Sequence, residues 1–206
     1  MDAAFLLYDQ MTALDLVGPY EILAGHPHVT PHFVASRVGS IRCDNGLTLQ
    51  AGATFDGVPD PDLIVVPGSS HWRTALDDDE LISWLAAAHP AATWTTSVCT
   101  GSTLLAKAGI LAGRRATSHW AVRETLAAHG AVVSAERVVV DGDVITCAGV
   151  GRHGHGSDAR RHPVGRIDGR DPARPRIRPQ PPLDSGSPEK ARPEIVARVR
   201  AALGAG

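Results

Sequence analysis

The residue of greatest chemical interest in this 206-residue chain is Cys99, one of three cysteines. It follows a β-branched and aromatic run, residues 93–98, and precedes three small residues, 100–102, and a helical run to Ala108. This order predicts a strand that turns sharply into a helix. A helix start supplies partial positive charge and free N–H groups, which favour a thiolate. The pattern therefore indicates a nucleophile, and a buried structural cysteine is the equally weighted alternative.

A second candidate is Asp15, which lies near the start of a helix predicted over residues 14–23. A carboxyl close to a thiol can share or donate a proton, and the two groups then titrate as one coupled unit. On the residues alone, a helix N-terminal cap is the favoured role for Asp15. Pro19 is expected in the first turn of the same helix, where proline is tolerated.

The elements that position these residues alternate between strands and helices. Strands are predicted over residues 3–8, 33–36, 63–66 and 93–98, and helices over residues 77–89 and 121–128. Two hairpins are expected around Asn45-Gly46 and Asp141-Gly142. The alternation predicts an α/β domain with a mostly parallel sheet, in which chemistry collects at the carboxyl ends of the strands. We expect a single domain over residues 1–206.

The composition is that of an ordinary globular protein, with 43% hydrophobic residues, 20% charged residues and a net charge of −2. This charge gives no strong field toward nucleic acid or a membrane surface. No apolar run approaches the roughly 18 residues that cross a bilayer, and the N-terminus lacks the basic flank of a signal peptide. The sparse cysteines have no metal-ligand spacing and fit a reducing compartment. We predict a cytoplasmic protein with no metal, no cofactor and neither nucleic acid nor membrane as a partner.

Several motifs, in the same order along the chain, resemble the ThiJ/PfpI superfamily. Residues 96–102 and 108–120 are similar to its nucleophile region, and residues 179–188 to its C-terminal signature. Residues 14–19, Leu-Asp-Leu-Val-Gly-Pro, resemble the first loop of its isocyanide hydratase branch, and residues 66–68, Val-Pro-Gly, resemble its third strand end. The resemblance implies a three-layer, flavodoxin-like α/β sandwich of the glutamine-amidotransferase-like class, with a nucleophile elbow, and it implies a homodimer.

The resemblance also implies roles for particular residues. Cys99 is the expected nucleophile, and Asp15 is the expected nearby acid, which reverses the preference for a cap. The hydroxyl or N–H of Thr100 would steady an intermediate, with a plain turn residue as the alternative. Gly68 and Ser69 are expected to face the nucleophile with their backbone N–H groups.

Two departures from the family pattern bear on the activity. Protease-like relatives place a histidine directly after the cysteine, and Thr100 occupies that place here, which argues against proteolysis. The family usually has a second glycine after the one matched by Gly68. Ser69 brings a Cβ that would tighten the pocket or disfavour a positive φ. His119 is expected to cap a helix start rather than line the pocket.

The predicted activity is that of a hydro-lyase, the cysteine-dependent hydration of a small-molecule electrophile. The resemblance implies an isocyanide as substrate, a thioimidate on Cys99 and an N-substituted formamide as product. Two alternatives from other classes stay open. One is a non-catalytic ligand-sensing domain related to AraC-type regulators. The other is a glyoxalase-like or redox-responsive family member that uses the same thiol.

Residues 151–178 differ in character from the rest of the chain. They hold eight of the eighteen arginines and only three large apolar residues, so they are predicted to be disordered. The family has an apolar helix here, and reading one base later from Gly151 permits Ala-Gly-Met-Asp-Met-Ala-Leu-Thr-Leu, a similar sequence. We hypothesise that two compensating frameshifts, near residues 150 and 178, replaced this helix. Beyond it, Ile195, Val199 and Leu203 recur at helical spacing and predict a C-terminal helix.

Overall fold

A central β-sheet organises the chain. The computed structural model of the protein describes residues 1–149 and Pro193. The strands are β1 (Asp2–Leu6), β2 (Thr30–Ala35), β3 (Gly39–Arg42), β4 (Thr48–Ala51), β5 (Ala53–Thr54), β6 (Leu63–Val66), β7 (Trp94–Val98), β8 (Arg115–Ala116), β9 (Val132–Val133), β10 (Val138–Asp141) and β11 (Val144–Cys147). The helices are α1 (Ala13–Leu23), α2 (Trp72–Ala75), α3 (Asp79–Ala88), α4 (Ser102–Lys107) and α5 (Arg123–Ala128). Short 3-10 helices span Phe55–Gly57, His89–Ala91, Cys99–Gly101 and Trp120–Val122.

Seven of the strands form one sheet in the order β10-β11-β7-β6-β1-β2-β5. Neighbouring strands are parallel except at the edge pair of β10 and β11. The chain leaves β1 toward β2 on one side and continues with β6 on the other, so the order reverses at β1. The segments that follow β1, β6 and β7 therefore meet at one end of the sheet. The three-layer, flavodoxin-like α/β sandwich predicted from the sequence is confirmed.

The central strands are buried on both faces, as their residue types require. All of β6 is buried, and Phe5 and Leu6 of β1 have no exposed surface. Parallel strands covered by helices on both sides are continuous apolar runs. Tyr20 of α1 packs edge-on against Phe5 with 5.5 Å between ring centroids, and its ring centroid lies 5.0 Å from that of Phe33 in β2. These contacts fix α1 on the sheet, and with it the helix start that carries Asp15.

The two predicted hairpins are confirmed. Strands β3 and β4 pair antiparallel around Gly46, which has a φ of +88°, and β10 and β11 pair around Gly142, which has a φ of +61°. Glycine adopts such positive φ values without the clash that a Cβ brings. The first hairpin matters to the site because its turn also carries Asp44.

The prediction for Pro19 is wrong. Helix α1 begins at Ala13, with Thr12 in the cap position, and Pro19 is its seventh residue. A proline inside a helix removes the N–H that would bond to the carbonyl four residues earlier, here that of Asp15. Tertiary packing of one helix face holds α1 in spite of this loss.

Several predictions fall outside the described residues and stay predictions. They are the character of residues 151–178, the signature at 179–188 and the C-terminal helix. Residues 1–150 form one compact unit, and a single domain over the whole chain likewise stays a prediction. Over residues 1–149 and at Pro193, no helix is long and apolar enough to cross a membrane.

Candidate active site

Cys99 occupies the elbow between β7 and α4. Its φ is +59°, a left-handed conformation that costs a side-chain-bearing residue about 1–3 kcal/mol. The Cys99 carbonyl accepts hydrogen bonds from the Ser118 hydroxyl at 2.9 Å and from the His119 backbone N–H at 3.1 Å. These two bonds hold the strained turn, so the thiol stays at the carboxyl end of the sheet.

Gly101 allows the elbow to pack directly on the end of β6. A Cβ at this position would clash with the carbonyl oxygen of Val66 and lie 2.7 Å from that of Pro67. The φ of Gly101 is −57°, which any residue adopts. Cys99 therefore takes the strained conformation, and Gly101 provides the space that lets the elbow approach the end of β6.

Gly68, just after β6, lies where three chain segments meet. A Cβ on Gly68 would lie 2.7 Å from the backbone nitrogen of Thr100, 2.8 Å from Asp15 Oδ2 and 2.8 Å from Cys99 Cβ. The structure thus brings together Asp15, Gly68, Cys99 and Thr100, which follow three neighbouring strands. The absence of a side chain at Gly68 is what lets the carboxyl and the thiol share one small space.

Asp15 is buried, with 4% of its surface exposed, and its Oδ2 has no hydrogen-bond partner among the described residues. It is the third residue of α1, and Thr12 holds the cap position, so the capping role for Asp15 is wrong. Burial raises the pKa of Asp15 to about 6; the charge of Asp44 adds to the rise, and the Gly68 backbone N–H and the Cys99 thiol oppose it. A carboxyl with such a pKa can take and return a proton near neutral pH.

The Cys99 thiol does not have the lowered pKa that the sequence predicts. Burial raises the pKa of Cys99 to about 12, and the charge of Asp15 adds to the rise. The Thr100 backbone N–H, in the 3-10 helix that precedes α4, lowers this pKa, but one N–H does not offset burial. Near neutral pH the thiol and the carboxyl therefore hold one proton between them, and thiolate forms when that proton passes to Asp15.

Thr100 and Ser69 tie the elbow to the segment after β6. The Ser69 backbone N–H donates to Thr100 Oγ1 at 2.7 Å, and the Thr100 hydroxyl donates to the Ser69 carbonyl at 2.9 Å. The Ser69 hydroxyl donates to the Gln10 carbonyl at 2.6 Å and accepts from the His71 N–H at 2.8 Å. Among the described non-glycine residues only Gln10 and Cys99 have a positive φ, so the expected strain at Ser69 is absent.

The hydrogen bonds between Ser69 and Thr100 limit which of their groups can contact a substrate. The Ser69 N–H is engaged by Thr100 and is not directed at the thiol, and the Thr100 hydroxyl is engaged by Ser69. What Thr100 offers Cys99 is its backbone N–H, which acts on the sulfur. His119 has the predicted capping role, since its Nδ1 accepts from the Ala121 N–H at the start of a 3-10 helix.

Two residues near the thiol are not among those predicted. Asp44 raises the pKa of both Asp15 and Cys99, and its Oδ2 accepts a hydrogen bond from the Thr12 hydroxyl at 2.7 Å. Gly149 follows β11, and a Cβ there would lie 3.7 Å from Cys99 Sγ. In a sequence, Asp-Asn-Gly is typical of an exposed turn, so this pattern does not predict that Asp44 lies near the thiol. The one available signal for Gly149 is its place at the end of a strand next to β7.

Comparison with known proteins identifies the family to which the chain belongs. Residues 1–155 match the model of the DJ-1/PfpI family, and the chain belongs to that family. The chain is 37% identical to an isonitrile hydratase of Pseudomonas putida, over 98% of this chain and 90% of the relative. It is 27% identical to a deglycase of Pyrococcus horikoshii, over 71% and 89%. The crystal structure of a ThiJ/PfpI family protein from Pseudomonas syringae superposes with a TM-score of 0.70 at 26% identity, over 98% and 86%.

Proposed function

We propose that this protein hydrates isocyanides, R–N≡C, to N-substituted formamides, R–NH–CHO. The observation that carries the proposal is a buried carboxyl, Asp15, beside the elbow thiol of Cys99, in a chain 37% identical to an isonitrile hydratase over nearly its whole length. An isocyanide carbon is attacked by sulfur and must then receive a proton. A thiol and a carboxyl that share one proton supply both requirements.

The first half of the reaction forms a bond between sulfur and carbon. Cys99 passes its proton to Asp15, and Sγ attacks the terminal carbon of the isocyanide. The same proton then moves from Asp15 to that carbon, which gives a thioimidate, R–N=CH–S–Cys99. The backbone N–H of Thr100, which favours the charged form of the sulfur, stabilises the thiolate before attack.

The second half of the reaction consumes water. The Asp15 carboxylate takes a proton from water as the water oxygen adds to the thioimidate carbon. Asp15 then passes this proton to the nitrogen, which gives the adduct R–NH–CH(OH)–S–Cys99. The resulting adduct collapses: its hydroxyl proton returns to sulfur through Asp15 while the C–S bond breaks. One isocyanide and one water become one formamide, the thiol is regenerated, and nothing is oxidised or reduced.

Gly68 and Ser69 hold this arrangement in place. Gly68 provides the space between thiol and carboxyl, and Ser69, through its bonds to Thr100, fixes the segment after β6 against the elbow. Proteolysis stays disfavoured because Thr100 stands where protease-like relatives have histidine. The homodimeric state and the cytoplasmic location stay predictions.

Hydration is tested by the origin of the product oxygen. We expect the purified protein to convert an aryl isocyanide to the formamide and, in heavy-oxygen water, to place the heavy isotope in the formyl group, as read by mass spectrometry. A heat-denatured sample corrects for spontaneous hydrolysis. A folded protein that forms no formamide above this blank would contradict the proposed activity.

A further inference from the structure

The turn between β3 and β4 brings a second carboxylate to the site. The backbone N–H of Asp44 donates to the Met11 carbonyl at 2.9 Å, and its Oδ2 accepts from the hydroxyls of Thr12 at 2.7 Å and Ser70 at 3.4 Å. Its Oδ1 is buried and has no hydrogen-bond partner among the described residues. A buried carboxylate oxygen without a partner opposes folding and is typical of functional sites.

We propose that Asp44 is a positioning residue, which fixes Thr12 and thereby sets where the Asp15 carboxyl meets Cys99. Thr12 stands immediately before α1, and its carbonyl accepts the backbone N–H of Asp15 at 3.1 Å. Its own N–H donates to the Gly68 carbonyl at 2.8 Å. The inference rests on the proposed pairing of Asp15 with Cys99 and does not depend on an isocyanide as the substrate.

The side chain of Thr12 supports this role. Thr12 occupies the cap position of α1, where a threonine hydroxyl normally accepts a backbone N–H of the first turn. It makes no such bond here; the hydroxyl donates to Asp44 instead. The helix start is thus held from outside, by the hairpin turn, and this tether determines the position of the carboxyl three residues later.

The charge of Asp44 acts on the same pair from the hairpin side. It raises the pKa of Asp15 and of Cys99, in each case as a smaller cause than burial. It acts in the same direction on the pKa of Tyr8, which burial raises and whose hydroxyl donates to the Pro67 carbonyl at the end of β6. Tyr8, two residues after β1, and Asp44, in the hairpin turn, are described titratable groups whose charges couple to the pair, and His119 lies next to the elbow, to which its backbone N–H bonds. Removal of the Asp44 charge favours a thiolate.

The test measures the rate at which iodoacetamide alkylates Cys99 at neutral pH in the full chain, by mass spectrometry of the Cys99 peptide. We expect Asp44→Asn, which removes the charge and keeps an oxygen acceptor for the Thr12 hydroxyl, to raise this rate severalfold. Thr12→Val keeps the charge and removes the hydroxyl donor, so a severalfold rise in this variant reports displacement of Asp15 alone. Adding Thr12→Val to Asp44→Ala should change nothing further, because Thr12 acts through the hydrogen bond that Asp44→Ala has already removed.

Matched variants and internal controls separate positioning from loosening of the fold. Thr12→Ser keeps the hydroxyl and should retain the wild-type rate, as should Asp9→Asn, which neutralises an exposed carboxylate paired with Arg37. Peptides that contain Cys43 and Cys147 report general opening. A wild-type rate in Thr12→Val, or a parallel rise at all three cysteines, would overturn the proposal. If the alkylation rates follow the expected pattern but the protein does not turn over isocyanide, the positioning role of Asp44 is supported and only the proposed activity is rejected.

Discussion

Among single residues, the proposed reaction depends on one proton held between a buried carboxyl, Asp15, and a partly buried thiol, Cys99. Burial raises the pKa of Asp15 to about 6 and that of Cys99 to about 12, so neither charge forms readily on its own. Local sequence favours the opposite shift for Cys99, because a helix start is visible in a sequence and burial is not. The elbow itself could be predicted, since a β-branched run leads into Cys99 and glycine follows two residues later, at Gly101.

Replacing Asp15 should abolish the decrease of kcat/KM at low pH. Below about pH 6 the wild-type carboxyl is protonated and cannot accept the thiol proton, so kcat/KM for isocyanide hydration should fall as pH decreases through that value. In Asp15→Asn the remaining activity should be low and should show no limb near pH 6. A pH profile of kcat/KM for both proteins measures this. A limb that persists in the variant would assign it to another group.

The same carboxyl should make stability depend on pH in a defined direction. The pKa of Asp15 is raised in the folded state from its ordinary value of 3.8, so its protonated form stabilises the fold at low pH, and this contribution is lost as pH rises through about 6. Asp15→Asn should therefore increase the free energy of unfolding at pH 7 by about 2–3 kcal/mol. Urea denaturation across this pH range tests it, and an unchanged or lower stability at pH 7 would contradict the assignment.

At the scale of elements, three neighbouring parallel strands deliver the site. Asp15 follows β1, Gly68 follows β6 and Cys99 follows β7, so the order of the strands places residues far apart in sequence side by side. Strands and hairpins could be predicted because their signals are local. The approach of Asp44 could not, because distant packing decides it. The error for Pro19 was local, since a helix that begins at residue 14 already places this proline beyond its first turn.

Gly101 and Gly18 provide a matched pair for the close packing of the elbow. Gly101→Ala should lower the free energy of unfolding by about 3 kcal/mol, because its Cβ meets the rigid backbone of β6 and Pro67. Gly18→Ala in α1 should change it by less than about 1 kcal/mol: outside its chain neighbours and its own helix backbone nothing lies within 4 Å of that Cβ, and the helix preference of alanine is offset by the following Pro19. Urea denaturation of the two variants gives both values. Equal effects would show that the close approach at Gly101 does not matter.

For the whole molecule, the chain belongs to the family, but the composition of residues 151–178 is not typical of the helix expected there. The family match extends over residues 1–155 and so ends within the arginine-rich segment. The relative from Pseudomonas putida aligns along 98% of the chain. A shift of reading frame confined to residues 151–178 would reconcile the two observations, because the chain outside this segment keeps the family motifs.

The frame hypothesis is tested on the gene and on the protein. A version of the chain that reads residues 151–178 one base later should regain an apolar helix and unfold at a higher Tm than the present chain, as measured by differential scanning calorimetry. Resequencing should reveal the two compensating changes. An uninterrupted frame with identical codons in independent isolates would show that residues 151–178 do not arise from a sequencing error.

The role of Cys99 as nucleophile can be measured by the turnover of an aryl isocyanide in cysteine variants. Cys99→Ala should lower the rate of formamide formation by roughly a thousandfold or more. Cys147→Ala, which removes a partly buried thiol from the neighbouring strand β11, should stay close to the wild-type rate. A folded Cys99→Ala protein that hydrates the isocyanide within about tenfold of the wild-type rate would contradict the account.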